Sequence, residues 1–295
     1  MTVGHFEIGE YTLLGNRKIN QDRCVTVQND DSILLGLADG MGGHPRGEKA
    51  AEILTETCTS FFEQNQPPVS HPDEFLTRLL QKAHENLTAF GLEQTPAIDP
   101  RTTAVVVLIQ NGVAHWAHVG DSRLYLFRKG KPLKRTVDHS YVERLQQSGM
   151  ISEEERQIHP HRNYVTRCLG GEISVPDIAL GAFAKLHPGD VLLLCSDGLW
   201  SQLKEEEMAT VLAQPKPLEQ AVTSLVQQAE ESAYPESDNV TAIALRWLEK
   251  KPVKKQPAAE TAQEAVPPED KLNQAIDELK NAIEAFESDS PEENP

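Results

Sequence analysis

The sequence predicts an α/β sandwich in which two packed antiparallel β-sheets are flanked by helix pairs. Strand-like segments rich in β-branched residues follow one another through short turns, which favour antiparallel hairpins over crossover units. Long helical patterns come in two pairs. Strands are expected at 6–14, 24–27, 33–38, 102–109, 114–119, 123–127, 178–184, 191–195 and 239–248, and helices at 48–62, 72–90, 204–213 and 218–233.

Punctuation residues separate these elements. The Pro67-Pro68 pair ends the first helix pattern before the second begins, and residues 129–132 are expected to form a turn. The segment 138–171 is polar and contains one short amphipathic helix around Tyr141 and Leu145. We expect this segment to be a surface insertion, and we predict that it acts as a mobile flap that contacts substrate.

Composition and charge exclude several classes of protein. The chain has 295 residues with 39% hydrophobic content, and it contains no apolar run of the roughly 20 residues that a membrane span needs. The net charge of −17 makes a nucleic-acid backbone a poor partner. The four cysteines are scattered and the N-terminus lacks a signal-peptide pattern, so we expect a cytoplasmic protein.

A change of composition marks the end of the predicted sandwich. Residues 1–249 are expected to form one domain, 250–270 a disordered linker rich in Lys, Ala, Pro and Glu, and 288–295 a disordered tail. Residues 271–287 predict an amphipathic helix that docks on the domain or binds a partner. Its apolar stripe consists of Leu272, Ile276, Leu279, Ile283 and Phe286.

Four aspartates stand beside apolar runs that predict buried strands. Asp39 follows 33–38, Asp197 follows 191–196, Asp238 precedes the last strand, and Asp22 lies just before a short one. A single aspartate at a strand end is ordinary turn chemistry. Four of them, with glycines beside Asp39 and Asp197, are better explained by a site for Mg²⁺ or Mn²⁺, which prefer oxygen ligands.

Seven short motifs connect these aspartates with other polar residues. They are Arg17-x-x-Asn20-Gln-Asp22, Asp39-Gly-Met-Gly-Gly43, Thr102-Thr103, Gly120-Asp121-Ser-Arg123, Asp138-His-Ser140, Ser196-Asp197-Gly-Leu-Trp200 and Ser237-Asp238-Asn-Val-Thr241. In this order they resemble the motif series of the metal-dependent Ser/Thr phosphatases, the protein phosphatase 2C (PPM) family, in its bacterial form. The resemblance covers roughly residues 5–248.

The resemblance implies hydrolysis of phosphoserine and phosphothreonine in phosphorylated proteins, opposing a cognate bacterial Ser/Thr kinase. It implies two Mn²⁺ or Mg²⁺ ions and a third, weaker site. Two such ions can supply a nucleophile in line with the leaving oxygen.

The resemblance also implies a role for each aspartate. Asp39 would bridge the two ions with the Gly40 carbonyl as a further ligand. Asp197 and Asp238 would complete the first ion, and Asp22 would mostly hold waters of the second.

Further residues take their roles from the same resemblance. Asp121 together with Asp197 matches the position of the third metal. Arg17 would clamp the phosphate, because a guanidinium offers a fixed fork of donors. Asn20 and Asn239 would hold the ligands in place.

The chain departs from the family pattern at two places. Many eukaryotic relatives carry a histidine, a candidate general acid, where this chain has Met41. His44 is the nearest substitute, and a metal-associated water is the alternative. Bacterial members often have Met-Gly-Thr-Thr where this chain has Pro100-Arg101-Thr-Thr, so an arginine replaces a glycine beside the expected site.

Two other functions compete with a protein phosphatase. A catalytically inactive scaffold that binds phosphoproteins is disfavoured, because every expected ligand is present. A metal phosphoesterase acting on small molecules would share the same ligands. Its substrate preference, measured on nucleotides and on phosphopeptides, would separate it from a protein phosphatase.

Overall fold

The computed structural model describes residues 6–171, 173–248 and 273–281. The chain divides into two units, Met1–Lys251 and Pro252–Pro295. In the first unit the strands are β1 Phe6–Leu13, β2 Asp22–Gln28, β3 Ser32–Asp39, β4 Arg101–Thr102, β5 Ala104–Gln110, β6 Val113–Val119, β7 Arg123–Arg128, β8 Lys131–Arg135, β9 Leu169–Gly170, β10 Ala179–Leu180, β11 Ala184–Lys185, β12 Val191–Cys195 and β13 Val240–Trp247. The helices are α1 Gly47–Asn65, α2 Pro72–Glu93, α3 Tyr141–Gln147, α4 Glu153–Ile158, α5 Asp197–Trp200, α6 Glu205–Leu212 and α7 Leu218–Ala233.

Two antiparallel sheets pack face to face. One has the order β1-β13-β12-β7-β8, and the other has the order β10-β6-β5-β3-β2, with β11 also pairing with β6. Alternate residues of each central strand point between the sheets, as the period of two requires. Leu35 and Val107 from one sheet and Leu194 and Ile243 from the other lie in this shared, fully buried core.

Helices cover the outer face of each sheet. The apolar face of α1 and α2, including Leu54 and Leu79, packs on the opposite side of β3 and β5. The helices α5 to α7, including Val222, pack on the outer face of β12 and β13. The central strands are thus buried on both faces, which explains their continuous apolar runs. The predicted sandwich of two antiparallel sheets flanked by helix pairs is confirmed.

Several elements differ in detail from the sequence prediction. The strand expected at 102–109 is interrupted at Thr103, and its first part, β4, pairs with β9 in a separate small sheet. The expected turn at 129–132 is shorter, because β8 already begins at Lys131 as an edge strand that tolerates Pro132. The strand expected at 178–184 is only the two short pieces β10 and β11. Between them Gly181 lies directly against the Trp116 ring.

The polar segment 138–171 is largely exposed, but buried charges anchor it to the sheet. Asp138 accepts two hydrogen bonds from Arg123, at 2.8 and 2.6 Å, and one from Arg156 at 2.8 Å. The Arg123 guanidinium also stacks on the Trp200 ring, 3.6 Å from its centre. Arg156 belongs to α4, a helix that the sequence did not predict and that a Ser152 capping box begins. We call Arg123, Asp138 and Arg156 the ion triad.

The second unit contains a helix at 273–281, which we label α8. It includes Ile276 and Leu279 of the predicted stripe, and these side chains are 43% and 65% exposed. Three predicted parts of the C-terminal region lie outside the described residues: the linker 250–270, the rest of the helix 271–287, and the tail 288–295. Among the described residues, no helix combines the length and the apolar character needed to cross a membrane.

Candidate active site

One cavity of about 920 Å³ collects most of the predicted site residues. Those that line it are Arg17, Asp39, Gly40, His44, Asp121, Asp197 and Asp238. Asp22 is not among the lining residues. It is 3% exposed and lies in the interior next to the others.

Strand register explains how distant aspartates meet. Asp22 and Asp39 are direct partners across the antiparallel β2–β3 pair, so their side chains leave the same face of the sheet. Asp197 follows β12 and Asp238 comes shortly before β13, and these two strands are antiparallel neighbours. The end of one strand and the start of the other therefore share a sheet edge. The strand ends of both sheets thus place carboxylates around one cavity.

Protein side chains engage two carboxylates of the cluster. Ser196 Oγ donates to Asp22 at 2.7 Å, and Arg17 Nη2 donates to Asp238 at 2.6 Å. Asp39 and Asp197 are close enough that, after burial and the charge of Asp22, the charge of Asp197 raises the pKa of Asp39.

The backbone at Asp39 is held equally firmly. Asp39 N donates to Thr103 Oγ1 at 3.1 Å, while Thr103 N and Thr102 Oγ1 donate to Asp39 O at 2.9 and 3.0 Å. This double attachment explains why Thr103 leaves the β-ladder. At the next residue, Gly40, an added Cβ would collide with the backbone oxygen of Gly47, so only glycine fits.

Burial and mutual repulsion raise the pKa values of the clustered aspartates. Burial, followed by the charges of Asp197 and Asp238, raises the pKa of Asp22 to about 7. Burial and then Asp238 raise the pKa of Asp197 to about 6. Burial and the neighbouring aspartates also raise the pKa of Asp39 and the pKa of Asp121. The cluster therefore carries negative charge that the protein alone does not compensate.

The residues fit a divalent cation, although no ready cage exists. Within 6–171, 173–248 and 273–281, no three His, Cys, Asp or Glu side chains are already placed around one metal position. Two of the expected ligands bind protein partners instead, since Asp22 accepts from Ser196 and Asp238 accepts from Arg17. Mg²⁺-like ions retain several waters and need only one or two carboxylates each. An all-oxygen donor set with raised pKa values is the chemistry that such ions neutralise.

His44 and Arg101 lie on another wall of the cavity. Arg101 donates to Asp99 from Nε at 2.9 Å and from Nη2 at 2.6 Å, and His44 Nδ1 lies 3.8 Å from the same carboxylate. Partial burial, and then the Arg101 charge, lower the pKa of His44 below 6.5. The imidazole is therefore mainly neutral at pH 7.

The two predicted supporting asparagines make the expected kind of contact. Asn20 Oδ1 accepts from Asp22 N at 3.0 Å. Asn239 Oδ1 accepts from Gln21 N at 2.9 Å, and Asn239 Nδ2 donates to Leu14 O at 2.8 Å. Both side chains fix the loop that carries Asp22.

The sequence placed Ser196 and Thr103 in motifs but did not indicate their roles. Ser196 supports Asp22 and Thr103 supports Asp39, and both contacts join residues far apart in the chain, which no local pattern indicates. Arg144 and Arg167, from the polar segment, line the same cavity. Their alternation with other polar residues resembled an ordinary solvated surface, so only the fold reveals where they point.

The comparisons with known proteins agree with this geometry. A family model described as Protein phosphatase 2C matches residues 12–242. The chain is 30% identical over 247 residues to protein phosphatase PhpP of Streptococcus pneumoniae, covering 82% of this chain and 98% of that protein.

Solved structures share the fold as well. The serine/threonine phosphatase Stp1 from Staphylococcus aureus has a TM-score of 0.77 at 32% identity, over 84% of this chain and 98% of that chain. The catalytic domain of the phosphatase PstP, in complex with two manganese ions, has a TM-score of 0.70 at 26% identity, over 83% and 99% of the two chains.

The sandwich and its acidic cavity define a hydrolase of the serine/threonine protein phosphatase class. The match is extensive enough to give the family. This chain belongs to the protein phosphatase 2C family.

Proposed function

We propose that this chain releases phosphate from phosphoserine and phosphothreonine in proteins, using two Mn²⁺ or Mg²⁺ ions held at the acidic cluster. The single observation that carries the proposal is the convergence of Asp39, Asp121, Asp197, Asp238 and Arg17 on one cavity. Family membership supports it, and the two manganese ions of the PstP relative support the choice of metal.

The aspartates would hold the ions in the arrangement that the resemblance implies. Asp39 would serve both ions, and the Gly40 carbonyl would be a further ligand. Asp197 and Asp238 would complete the first ion, and Asp22 would mostly hold waters of the second. When bound, the ions supply a nucleophile at neutral pH and neutralise charge on the phosphoryl oxygens.

A third, weaker site at Asp121 and Asp197 belongs to the same proposal. Asp197 contributes charge that raises the pKa of Asp121, so the two carboxylates act on each other directly.

Arg17 would bind the phosphoryl group. Its Nη2 reaches Asp238 at 2.6 Å, and the Arg17 side chain is 55% exposed. A pair this exposed contributes little stability, so the guanidinium can exchange the carboxylate for a substrate phosphate. Arg17 would thereby hold the phosphate beside the ions, and Asp238 would become available as a ligand.

His44 would donate a proton to the leaving alkoxide. It is the histidine that lines the cavity in the described part of the chain. Because the pKa of His44 is lowered, only a minor fraction is protonated at pH 7, and its contribution should grow toward pH 6. His44→Gln should therefore slow phosphoserine release more than turnover of an aryl phosphate, whose leaving group needs no proton. Equal losses on both substrates would remove His44 from this role.

The test of the whole proposal uses the full chain, stripped with EDTA and titrated with Mn²⁺. Phosphate release from a phosphothreonine peptide should appear with the metal and disappear in Asp197→Asn. The matched control is Asp30→Asn, which changes an exposed aspartate between β2 and β3. Absence of release at saturating Mn²⁺, or full activity of Asp197→Asn, would overturn the proposal. Turnover of nucleotides without phosphopeptides would indicate a small-molecule phosphoesterase.

The proposal extends to a cellular role. We place the activity in the cytoplasm, opposing a bacterial Ser/Thr kinase, by analogy with the family. We further propose residues 271–287 as a partner-binding or docking helix, since Ile276 and Leu279 are exposed apolar residues on α8. Phosphoproteomics of a deletion strain should show proteins whose Ser/Thr phosphorylation rises. The same measurement on a strain that expresses the chain truncated after Lys251 should show which of these substrates need the helix.

A further inference from the structure

Three arginines besides Arg17 line the cavity. They are Arg101, Arg144 and Arg167. The chain as a whole carries a net charge of −17, yet every cationic side chain that lines this cavity in the described residues is an arginine. Guanidinium groups recognise phosphate and carboxylate oxygens better than ammonium groups do. This concentration of arginines at one cavity of an acidic protein therefore indicates a binding site for an anionic ligand.

Backbone pairing brings the three arginines to one wall. Arg101 is the strand partner of Gly170, and its guanidinium lies against Gly171 and Cys168, next to Arg167.

The helix that carries Arg144 is tied to the same stretch. Tyr141 N donates to Tyr164 O at 2.9 Å, and Ser140 pairs with Val165 in an isolated bridge. We call Arg101, Arg144 and Arg167 the arginine wall.

Two members of the wall are available to a ligand. Arg144 is exposed, and within the described ranges it makes no ion pair. Arg167 lies 3.5 Å from Asp177, but the two side chains are 43% and 85% exposed. Such a pair contributes almost nothing to stability and is easily exchanged.

The third member is preorganised. Arg101 uses Nε and Nη2 to bind Asp99, which fixes the plane of the guanidinium. The ion triad provides a contrast, because Arg123 and Arg156 are buried and both bind the buried carboxylate of Asp138. The arginine wall thus differs from the structural arginines of the same protein.

We propose that the arginine wall is a second anion subsite, which selects phosphoproteins that carry another anionic group close to the phosphoresidue being hydrolysed. The inference rests on the proposed function and specifies its substrate class. The ligand chemistry is a set of anionic oxygens, supplied by a second phosphate or by a neighbouring Asp or Glu of the substrate. A cavity of about 920 Å³ is large enough for more than the phosphoresidue alone.

Binding is tested with three fluorescent peptides that carry a non-hydrolysable phosphonate in place of phosphothreonine. One has neutral neighbours, one has flanking glutamates, and one has a second phosphonate residue. Anisotropy is measured with the full chain in Mn²⁺. We expect both anionic peptides to bind about tenfold more tightly than the neutral one, which corresponds to two guanidinium contacts of ordinary surface strength.

The double substitution Arg144→Gln with Arg167→Gln should reduce this preference to about twofold or less, since only Arg101 remains. Replacing the same two residues by lysine should restore part of the preference, because the charge returns without the bidentate fork. The control is Arg78→Gln, an exposed arginine of α2 that pairs with Glu74 at 2.6 Å and does not line the cavity.

The peptides also identify the source of the anion. A preference for only the bisphosphonate would assign the wall to a second phosphate, and a preference for only the glutamate peptide would assign it to carboxylates. Equal binding of all three peptides, or a preference that survives in the double glutamine variant, would overturn the inference. Failure to release phosphate from ordinary phosphopeptides, with the preference intact, would defeat the proposed function and leave the subsite standing.

Discussion

Replacing Asp22 by asparagine should stabilise the metal-free chain, although it removes a group that we assign to ion binding. Asp22 is 3% exposed, and burial together with Asp197 and Asp238 raises its pKa from 3.8 to about 7. Above pH 7 the fold must therefore hold a carboxylate that its surroundings disfavour. Asparagine has nearly the same shape, can still accept the hydrogen bond from Ser196, and carries no charge.

The raised pKa sets the size of this effect. Each pKa unit corresponds to about 1.4 kcal/mol, so a rise from 3.8 to about 7 amounts to about 4 kcal/mol at pH 8. The neighbouring aspartates share this cost. We therefore expect the substitution to recover roughly half of it, about 2 kcal/mol, which raises the Tm of a domain of this size by about 4–8 °C.

The pH dependence has a definite sign. A carboxyl group whose pKa rises on folding imposes no cost below its unfolded value of 3.8, and the full cost above about 7. The stability gap between Asp22→Asn and the wild type should therefore be full at pH 8 and shrink as the pH falls toward 4.

Thermal unfolding of the full chain in EDTA, followed by near-UV circular dichroism at several pH values, measures the gap. Asp30→Asn is the control and should show none. Addition of Mn²⁺ should stabilise the wild type more than the variant. A variant that is less stable than the wild type at pH 8 in EDTA, or a gap that does not change with pH, would refute the reasoning.

Four further predictions concern the site and its supports. Asp39→Asn should keep the circular dichroism spectrum of the wild type. Its Mn²⁺-dependent turnover of a phosphopeptide should fall by more than the roughly 10- to 100-fold loss that is typical when a residue supporting a metal ligand is replaced. Arg17→Ala should lower kcat/KM on a phosphopeptide by about tenfold or more, the worth of a charge-assisted hydrogen bond, while calorimetry shows unchanged Mn²⁺ affinity. Arg156→Ala should lower the free energy of unfolding by about 3 kcal/mol in a urea titration, because Asp138 keeps its charge but loses a buried partner. Truncation after Lys251 should leave aryl phosphate turnover intact, and its loss would move the domain boundary toward the C-terminus.

The strands and the aspartates at their ends could be predicted because they depend on local patterns. Apolar runs such as Ile33 to Asp39 predict a buried strand, and the position of the carboxylate that ends each run is then set by the sheet. The break at Thr103 was not predictable, because it depends on hydrogen bonds to Asp39, which lies 64 residues away.

Buried charged residues were the second kind of feature that the sequence did not predict. Asp138 begins a polar segment, and polarity normally indicates solvent. Asp138 is buried because two arginines together satisfy its oxygens. Arg123 lies 15 residues before it in the chain, and Arg156 lies 18 residues after it. Helix α4 escaped prediction for a related reason, since its one inward-facing residue, Arg156, is charged and leaves no apolar periodicity.

The ion triad also determines how the polar segment 138–171 is attached to the sheet. Asp138 binds the sheet residue Arg123, and Arg156 of α4 binds Asp138, so the segment is attached to the sheet both at its start and through α4. The stretch between α4 and β9, which includes Arg167, lies outside the ion triad. If the arginine wall selects substrates as proposed, substitutions in this stretch should change that selection while the ion triad keeps the segment attached to the sheet. The ion triad would thus allow substrate selection to change during evolution while the catalytic site is preserved.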